Sequence, residues 1–304
     1  MPIKDKEIVM RKLRFALFGN VYQAKKSSSA QKLLAMLEER QATLLIDRPF
    51  HDYLVNELQI CVKCDELIED DDFRADFAIS MGGDGTFLDA ARRVGDKDMP
   101  ILGINMGRLG FLSDYQAEDI PSAIDAIYKG DFKCEVHSLL QAQFTRDNDN
   151  PAHFPFALNE VAVLKQDNSS MISIRVDIND EYLTTYQADG LIVNTPTGST
   201  GYALSVGGSI MAPGSDTIGL VPVAPHSLTV RPLTLPADTE IAMTVESRSH
   251  NFLVSIDGRS ESCQEGTRII IRRAPYTVKV LKRSEGSFFR TLRKKLMWGA
   301  DTRE

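Results

Sequence analysis

The sequence predicts an α/β domain followed by a mostly β domain, with one helix at the end of the chain. Over roughly the first 130 residues, short apolar runs alternate with helical segments, a pattern typical of an open parallel sheet covered by helices. After Lys133 helical periodicity almost disappears, and strand-like runs are separated by turn residues such as Asn179-Asp180 and Asp257-Gly258. We therefore expect a Rossmann-like first domain and a sandwich-like second domain.

Each element of the first domain is predicted from its apolar spacing. Serines 27–29 offer N-caps for the first helix, and Gly130 is suited to end the last one. The predicted strands are Lys12–Gly19, Thr43–Ile46, Phe77–Met81 and Pro100–Asn105. The predicted helices are Ala30–Glu39, residues 49–60, Thr86–Val94 and Ile120–Tyr128.

The second domain is predicted from short β-rich runs, and the chain ends in a helix. The predicted strands are Val136–Thr145, Phe156–Leu164, Ile172–Ile178, Tyr182–Val193, Ile218–Val223, Glu240–Val245, Phe252–Ile256, Arg268–Arg272 and Thr277–Leu281. In the terminal segment Ser287–Trp298, one face carries Phe288, Leu292 and Leu296, and we interpret its basic run as a solvated face. We place the domains at residues 1–131 and 132–284, and expect the helix of residues 285–304 to pack on the first domain.

Composition excludes several classes of protein. The net charge of -7 argues against nucleic-acid binding, which needs an excess of Lys and Arg. No apolar run is long enough for a membrane span and the N-terminus lacks a signal peptide, so we expect a cytoplasmic protein without membrane contact. The four cysteines include a single Cys-x-x-Cys, Cys61 to Cys64, which is too few ligands for a structural zinc site. We expect reduced thiols.

The stretch between the strand Phe77–Met81 and the following helix holds Gly82, Gly83, Asp84 and Gly85. The N-terminus of a helix binds phosphate through free N–H groups, and glycines let the backbone turn sharply and approach a bulky ligand. The carboxylate is unsuited to holding an anion, so it suggests a base facing a hydroxyl beside a phosphoryl group. The alternative is an ordinary βα turn, where Gly and Asp are common.

A second glycine-rich stretch, Asp189–Gly208, contains many hydroxyl side chains at residues 195–200, followed by Tyr202. Hydroxyls at this density suit a ligand with many acceptors, such as a phosphate or ribose, and Tyr202 could stack on a base. The alternative is a Ser/Thr-rich surface loop. Asn159 and Glu160 could clamp paired sugar hydroxyls, although an isolated Asn-Glu pair carries little weight. Asp257-Gly258 is equally well explained as a hairpin turn.

Together these stretches resemble the signature set of NAD kinases. The matching segments, in chain order, are Gly82–Thr86, Gly103–Leu112, Leu158–Glu160 and Asp189–Thr200. The likeness extends to the terminal Phe-x-x-Thr-Leu-x-x-Lys-Leu-x-Trp run that starts at Phe288. The Gly-Gly-Asp-Gly-Thr turn alone is shared with diacylglycerol and sphingosine kinases and is echoed in phosphofructokinases. The combination is much more specific.

The resemblance implies an enzyme that transfers the γ-phosphoryl group of ATP to the adenosine ribose 2′-hydroxyl of NAD, giving NADP and ADP. It implies a divalent metal such as Mg²⁺, with unassigned ligands, and a homo-oligomer, dimer or tetramer. The first domain would bind nucleotide and the second the dinucleotide. No Walker A lysine motif is present, so the chain is not a P-loop kinase.

Residue by residue, the resemblance makes Asp84 the general base, Asn159 and Glu160 the ribose-binding pair, and Asp189 a carboxylate contacting the dinucleotide. Residues 200–205 match the segment that lines the adenine and nicotinamide pockets. Arg259 matches the position of a further contact with the dinucleotide. The full set of binding candidates is Gly82, Gly83, Gly85, Thr86, Asn105, Phe111, Asn159, Glu160, Ser170, Gln187, Asp189, Thr200, Gly201, Tyr202, Ala203, Leu204, Ser205, Asp257 and Arg259.

The sequence departs from the family pattern at three of these positions. Residue 201 is Gly where the family usually has Ala, which predicts a looser pocket. Ser170 and Gln187 stand where the family has a basic residue that contacts substrate, so that contact is in doubt.

Two other functions stay open from the sequence: a lipid kinase of the diacylglycerol or sphingosine type, and a non-catalytic dinucleotide sensor. A lipid kinase would need a hydrophobic cleft and membrane contact, whereas a sensor would have no use for Asp84. The sequence also leaves open whether Asp84 is a base, an orienting group or a metal ligand, and whether polyphosphate replaces ATP.

Overall fold

A computed structural model describes residues 12–21, 27–107, 110–145, 155–167, 170–284 and 286–299. Contacts within it divide the chain into two compact units. The first unit is Met1–Glu135 with Lys279–Glu304, and the second is Val136–Val278. The second unit is thus shorter at both ends than the predicted range 132–284.

The first unit contains a parallel sheet flanked by helices. Its strands are β1 (Arg14–Gly19), β2 (Thr43–Asp47), β3 (Glu66–Ile68), β4 (Phe77–Gly82), β5 (Ile101–Asn105) and β6 (Tyr115–Gln116). Its helices before the second unit are α1 (Ser27–Glu39), α2 (Arg48–Asp52), α3 (Asp84–Val94) and α4 (Ile120–Lys129). The strand order is β5-β4-β1-β2-β3, all pairs parallel, with the short β6 beside β5.

The apolar runs become central strands because both faces of the sheet are covered. Every residue of β5 is buried, as are Phe15 to Phe18 of β1. Helices α3 and α4 each bury one apolar stripe, and α4 ends at Gly130, whose φ of 70° is left-handed, as predicted. The carboxyl ends of β4 and β5 therefore lie side by side, with Gly82 paired to Asn105.

Several boundaries in this unit differ from the prediction. Helix α1 begins at Ser27, so the serines expected to cap it lie within its first turn. Helix α3 begins at Asp84 rather than Thr86, which places the carboxylate in the helix and not in the turn before it. The helical segment at 49–60 is α2 followed by a π-helical turn, Tyr53–Glu57. Strands β3 and β6 were not predicted because they are too short to show alternation.

The second unit is built from antiparallel strands and one short helix. The strands are β7 (Lys133–Phe144), β8 (Phe156–Ala157), β9 (Glu160–Lys165), β10 (Ile172–Ile178), β11 (Glu181–Ala188), β12 (Gly190–Asn194), β13 (Thr217–Val223), β14 (Leu233–Pro236), β15 (Ile241–Glu246), β16 (Asn251–Ile256), β17 (Arg259–Gln264) and β18 (Arg268–Lys282). The helix is α5 (Tyr202–Ser205). Strand β7 begins in the first unit, and strand β18 ends in it.

Two antiparallel arrays pack on one core, as the predicted sandwich requires. One array has the order β14-β13-β12-β9-β16-β17, and the other contains β11-β10-β15-β18. Buried residues of both arrays share one hydrophobic cluster, with Leu191 and Val254 from the first and Ile174 and Met243 from the second. Burial alternates along β10 and β16, so one face of each strand lines this core.

The predicted strand Tyr182–Val193 is wrong as a single element. It breaks at Asp189, because β11 belongs to one array and β12 to the other. Conversely, the two strands predicted around Pro275 are one, β18. Strands β14 and β17 were missed because they are edge strands with mostly exposed side chains and no apolar alternation to detect.

The terminal helix is α6, Phe288–Leu296, which belongs to the first unit by its contacts. Leu292 is 9% exposed, whereas Leu296 is 36% exposed. The predicted apolar stripe is therefore wrong at its last position, and Lys295 lies on the protected side instead, with a side chain only 18% exposed.

The described part of the chain contains no helix that is both long and apolar enough to cross a bilayer. All four cysteines are free thiols, and of these only Cys263 is fully buried.

Leu292→Ala should lower the stability of the first unit by roughly 2 kcal/mol, because a buried leucine is lost and the helix end cannot refill the space. Leu296→Ala, on the exposed side of the same helix, is the matched control and should cost less than half as much. Thermal unfolding of both variants measures the difference. Equal losses would contradict the assigned packing of α6.

Candidate active site

The turn from β4 into α3 holds three glycines, and none of them has a positive φ. A Cβ atom on Gly82 would overlap the side chain of Thr86, so this glycine is required by close packing. Within the described residues, Cβ atoms on Gly83 and Gly85 would meet no heavy atom within 4 Å other than those of chain neighbours and the helix backbone. The chain passes from β4 into α3 within the single residue Gly83, so the expected sharp turn is present without a left-handed glycine. Gly83 and Gly85 also leave open surface at the start of the helix.

This open surface lies at the N-terminus of α3, an eleven-residue helix. The first N–H groups of a helix have no partner within it, and the helix dipole is positive at this end. Among the described residues no side chain caps the helix start. Backbone N–H groups and bare glycines together give a surface suited to the oxygens of a phosphate.

Asp84 is held by the segment that follows β5. Its Oδ2 accepts a hydrogen bond from the backbone N–H of Phe111 at 3.0 Å, and Oδ1 accepts one from Leu112 at 3.3 Å. A Cβ atom on Gly110 would overlap Oδ1, so only glycine allows this approach. The side chain of Asp84 remains 35% exposed. The carboxylate is thus fixed in orientation while part of it faces outward.

Asn105 and Gly82 join the first two signature segments. Asn105 is buried at the end of β5, and its Oδ1 accepts the N–H of Gly107 at 2.8 Å. The N–H of Met106 donates to the carbonyl of Gly82 at 3.1 Å. The predicted site residues Asn105 and Phe111 are therefore brought to the glycine turn, where Asn105 shapes the loop. Residues 108 and 109 of this segment lie outside the described residues.

Lys295 was missed by sequence reasoning, which assigned the basic run of α6 to solvent. Its Nζ lies 3.7 Å from Asp84 Oδ2 and 4.1 Å from the centroid of the Phe111 ring. Burial lowers the pKa of Lys295, and the charge of Asp84 opposes that shift. The detectable signal was its spacing of three from Leu292, which places both on one helix face.

In the second unit, Asp257 fixes the segment before β9. Its carboxylate accepts the backbone N–H groups of Leu158, Asn159 and Glu160 at 2.7, 2.8 and 3.0 Å. Asp257 and Gly258, with φ values of 48° and 82°, also form the two-residue turn between β16 and β17. Burial raises the pKa of Asp257, and the three N–H groups oppose that rise. Asp257 is therefore both a hairpin residue and an anchor for the Asn-Glu pair.

The Asn159-Glu160 pair presents acceptors that have no protein donor. Among the described residues, Asn159 Oδ1 and Glu160 Oε2 are buried and lack a hydrogen-bond partner. Glu160 is only 9% exposed. Burial raises its pKa to about 7, the Asp257 charge adds to the rise, and the backbone N–H of Tyr202 opposes it. Buried acceptors without donors are rare in proteins, so this pair is suited to a ligand that brings hydroxyl groups.

In the hydroxyl-rich loop at 195–200, the hydroxyl groups of Thr195 and Ser199 form hydrogen bonds with backbone groups of the protein. Thr195 Oγ1 donates to the carbonyl of Leu158 at 2.5 Å and accepts the N–H of Gly198 at 3.1 Å. Ser199 Oγ donates to the Pro196 carbonyl and accepts the N–H of Met211. The expectation that these hydroxyls are free for a ligand is therefore wrong for Thr195 and Ser199. Their role is to shape the loop.

The glycines of this loop bring it against the Asn-Glu pair. A Cβ atom on Gly198 would overlap the backbone carbonyl of Asn159, so the two segments touch at this point. A Cβ atom on Gly201 would lie 3.1 Å from Glu160 Oε2. An alanine at 201 would therefore crowd the carboxylate, in agreement with the looser pocket expected for Gly201.

Residues 200–205 divide between surface and core. Tyr202 is 38% exposed and Ser205 is also exposed, whereas Thr200 and Leu204 are partly buried. Ala203 is fully buried in a small cluster with Ala162, Ile192 and Val221. The methyl group of Ala203 therefore packs in the core, while Tyr202 is available for stacking.

Asp189 and Arg259 already have protein contacts. Asp189, at the junction of β11 and β12, forms an ion pair with Lys165 at 2.8 Å. Nε of Arg259, which begins β17, donates to the carbonyl of Ile256 at 3.2 Å. Lys165 was not predicted from the sequence. Its pairing holds Asp189 in place without burying it, since the aspartate side chain is 36% exposed.

Ser170 and Gln187 line a separate open cavity of about 570 Å³ in the second unit. Gln187 Nε2 donates to Ser173 Oγ at 2.7 Å. The charged residues lining the same cavity are Glu246, Arg248 and Glu265. The structure thus places these two candidates together, in a cavity whose described lining does not include Asn159 or Glu160.

Within the described residues, no group of three or more His, Cys, Asp or Glu side chains is arranged to hold a metal ion. Asp84 and Asp257 accept backbone N–H groups, and Asp189 is paired with Lys165. These residues therefore do not form a protein-only metal site.

Glu160→Gln should change how stability depends on pH. The pKa of Glu160 is raised from 4.5 to about 7 in the folded chain, so its burial costs stability as pH rises through this range. Relative to wild type, Glu160→Gln should gain up to about 3 kcal/mol between pH 5 and pH 8. Urea unfolding at both pH values measures this gain. Glu246→Gln, which removes an exposed carboxylate, should show no such difference; equal slopes for both variants would contradict the buried acid.

Two family models match the chain over most of its length. The model for the ATP-NAD kinase N-terminal domain matches residues 15–132, and that for the ATP-NAD kinase C-terminal domain matches residues 158–283. A protein named NAD kinase from Bacteroides fragilis is 56% identical over 96% of this chain and 100% of its own length. One from Porphyromonas gingivalis is 42% identical over 95% of this chain and 99% of its own.

Two solved structures share the fold. Yeast NADH kinase complexed with NADH superposes with a TM-score of 0.86 at 22% identity, covering 95% of this chain and 89% of the yeast chain. An NAD kinase from Archaeoglobus fulgidus in complex with ATP gives a TM-score of 0.69 at 25% identity, covering 94% of this chain and 99% of that one. Together with the site geometry, these matches show that the chain belongs to the ATP-NAD kinase family.

Proposed function

We propose that the chain is an NAD kinase that transfers the γ-phosphoryl group of ATP to the 2′-hydroxyl of the adenosine ribose of NAD. The observation that carries this proposal is Asp84, a partly exposed carboxylate fixed at a helix N-terminus that is otherwise suited to phosphate. Support comes from the family assignment and from relatives named NAD kinase that match over their whole length. The comparisons give no support to a lipid kinase.

The start of α3 would hold the phosphates of ATP. Its backbone N–H groups donate to phosphate oxygens, and the bare positions at Gly83 and Gly85 let those oxygens approach the main chain. Phosphoryl transfer depends mainly on positioning and charge stabilisation, which preformed N–H donors supply without reorganisation. Thr86, packed on Gly82, fixes the geometry of this turn.

Asp84 would act as the general base. The 2′-hydroxyl donates its hydrogen bond to the exposed part of the carboxylate, which takes the proton as the ribose oxygen attacks phosphorus. A new O–P bond forms, the bond from the γ-phosphorus to the β,γ-bridging oxygen breaks, and ADP leaves with that electron pair. The proton then passes from Asp84 to water. The N–H groups of Phe111 and Leu112 keep the carboxylate in the receiving orientation.

The Asn159-Glu160 pair would bind the ribose through its hydroxyl groups. These hydroxyls supply the donors that Asn159 Oδ1 and Glu160 Oε2 lack in the protein. Tyr202 offers an exposed ring for stacking against a base. Asp189 and Arg259 remain proposed dinucleotide contacts. In this assignment Ser170 and Gln187 line a peripheral surface whose ligand contact is an expectation from the family resemblance alone.

Mg²⁺ is expected to accompany ATP and would neutralise charge on the transferring phosphate. The described residues provide no ligand set of their own, so the phosphate oxygens would supply its coordination, and no step is assigned to it. The family resemblance further extends the proposal to a cytoplasmic homo-oligomer, either a dimer or a tetramer. Light scattering would measure the mass of this oligomer. A non-catalytic sensor is disfavoured because it has no use for a fixed carboxylate at the phosphate surface.

Incubation of the purified chain with NAD, ATP and Mg²⁺ should yield NADP, detected with an NADP-specific dehydrogenase. Asp84→Asn should keep the fold and NAD binding but lower kcat by roughly 100- to 10,000-fold, the range supplied by a general base. Asp89→Asn, which alters an exposed aspartate on the same helix, is the matched control. Full activity of Asp84→Asn with an unchanged pH profile would refute the role of Asp84.

Gly85→Ala should separate ligand binding from folding. Within the described residues, no heavy atom other than those of chain neighbours and the helix backbone lies within 4 Å of the added methyl group. Alanine favours a helix by about 1 kcal/mol over glycine, so stability should hold or rise. The methyl group would occupy the surface proposed for phosphate, so the KM for ATP should increase about tenfold or more. Steady-state kinetics and thermal unfolding of the same preparation measure the KM for ATP and the stability. An unaltered KM would place the phosphates elsewhere.

A further inference from the structure

The terminal helix α6 brings one lysine to the carboxylate proposed as the base. Nζ of Lys295 lies 3.7 Å from Asp84 Oδ2, and its side chain is 18% exposed. Arg293 and Lys294, the adjacent basic residues of the helix, are exposed. The basic run therefore contains one residue that is withdrawn from solvent and directed at a charged partner.

A half-buried ammonium group needs compensation, because water is lost around the charge. Two groups supply it here. Asp84 provides the opposite charge, and the ring of Phe111 lies 4.1 Å from Nζ, within cation–π range. Among the described residues, Asp84 is the one charged group that acts on the ionisation of Lys295.

Phe111 links the three parts of this arrangement. Its backbone N–H donates to Asp84 Oδ2, the same oxygen that lies nearest to Lys295, while its ring contacts the ammonium group. A shift of the carboxylate would therefore weaken the contacts of both neighbours. The ion pair and this main-chain hydrogen bond act on Oδ2, the N–H of Leu112 donates to Oδ1, and the side chain of Asp84 remains 35% exposed.

We propose that Lys295 is a positioning residue of the active site, which holds the carboxylate of Asp84 in the orientation that receives the proton of the ribose hydroxyl. The inference rests on the proposed kinase function and extends it to the C-terminal helix. Lys295 acts through Asp84 and does not contact substrate. Among the described residues, the groups that contact the carboxylate of Asp84 are Lys295 from α6 and the backbone N–H groups of Phe111 and Leu112 from the segment after β5.

Lys295→Met tests the role of the charge, since methionine keeps an unbranched apolar side chain against Phe111. It should lower kcat about tenfold or more with little change in KM for ATP or NAD. Lys295→Arg should restore most of the activity, and Lys294→Met should behave as wild type.

A double-mutant cycle with Asp84→Asn separates action through Asp84 from direct binding of phosphate. If Lys295 acts through the carboxylate, Lys295→Met should cause no further loss in the Asp84→Asn background. If instead the two losses multiply and the KM for ATP rises, Lys295 binds the nucleotide and the inference is wrong. Thermal unfolding of Lys295→Met and Lys294→Met should agree, and Lys295→Gln serves as the second variant if methionine loosens the helix.

The wild-type assay distinguishes failure of this inference from failure of the proposed function. A wild-type chain that forms no NADP would refute the kinase assignment itself. A wild-type chain that forms NADP, together with an unchanged kcat in both Lys295→Met and Lys295→Gln, would overturn only the role of Lys295.

Discussion

In each unit one aspartate accepts two or more backbone N–H groups from a signature segment far away in sequence. Asp84 holds the loop at Phe111, and Asp257 holds the segment at Asn159. Hydrogen bonds to charged acceptors contribute about 1.5–3 kcal/mol each, so they offset part of the cost of burying these groups. Because these bonds fix main-chain segments, they determine where the signature residues lie. The protein itself thus positions the described residues around Phe111 and Asn159.

The buried carboxylate of the Asn-Glu pair differs from those of Asp84 and Asp257, because one of its oxygens accepts no hydrogen bond from the described residues. Glu160 is raised to a pKa of about 7 because burial is only partly offset, and one of its oxygens has no donor among the described residues. Such a group costs stability in the free protein and gains hydrogen bonds when a sugar binds. Gly201 leaves the carboxylate uncrowded, which the side chain of alanine would not.

Hydrophobic periodicity was sufficient to predict the parallel sheet, the β domain and the helix ending at Gly130, since these depend on local sequence. It failed where the structure of a segment depends on residues that are its neighbours only in the folded chain. The edge strand β17 is exposed, and its sequence has no apolar alternation. The break at Asp189 arises because the chain passes there from one array to the other. The hydroxyls near Thr195 looked free for a ligand but bond to main chain, and Lys295 looked solvated but lies beside Asp84.

The most direct test of the proposed mechanism is a crystal structure of the chain with NAD bound. The account predicts that the 2′-hydroxyl of the adenosine ribose lies about 2.6–3.2 Å from a carboxylate oxygen of Asp84, within reach for proton transfer. A well-ordered NAD molecule whose adenosine ribose lies far from Asp84 would contradict it.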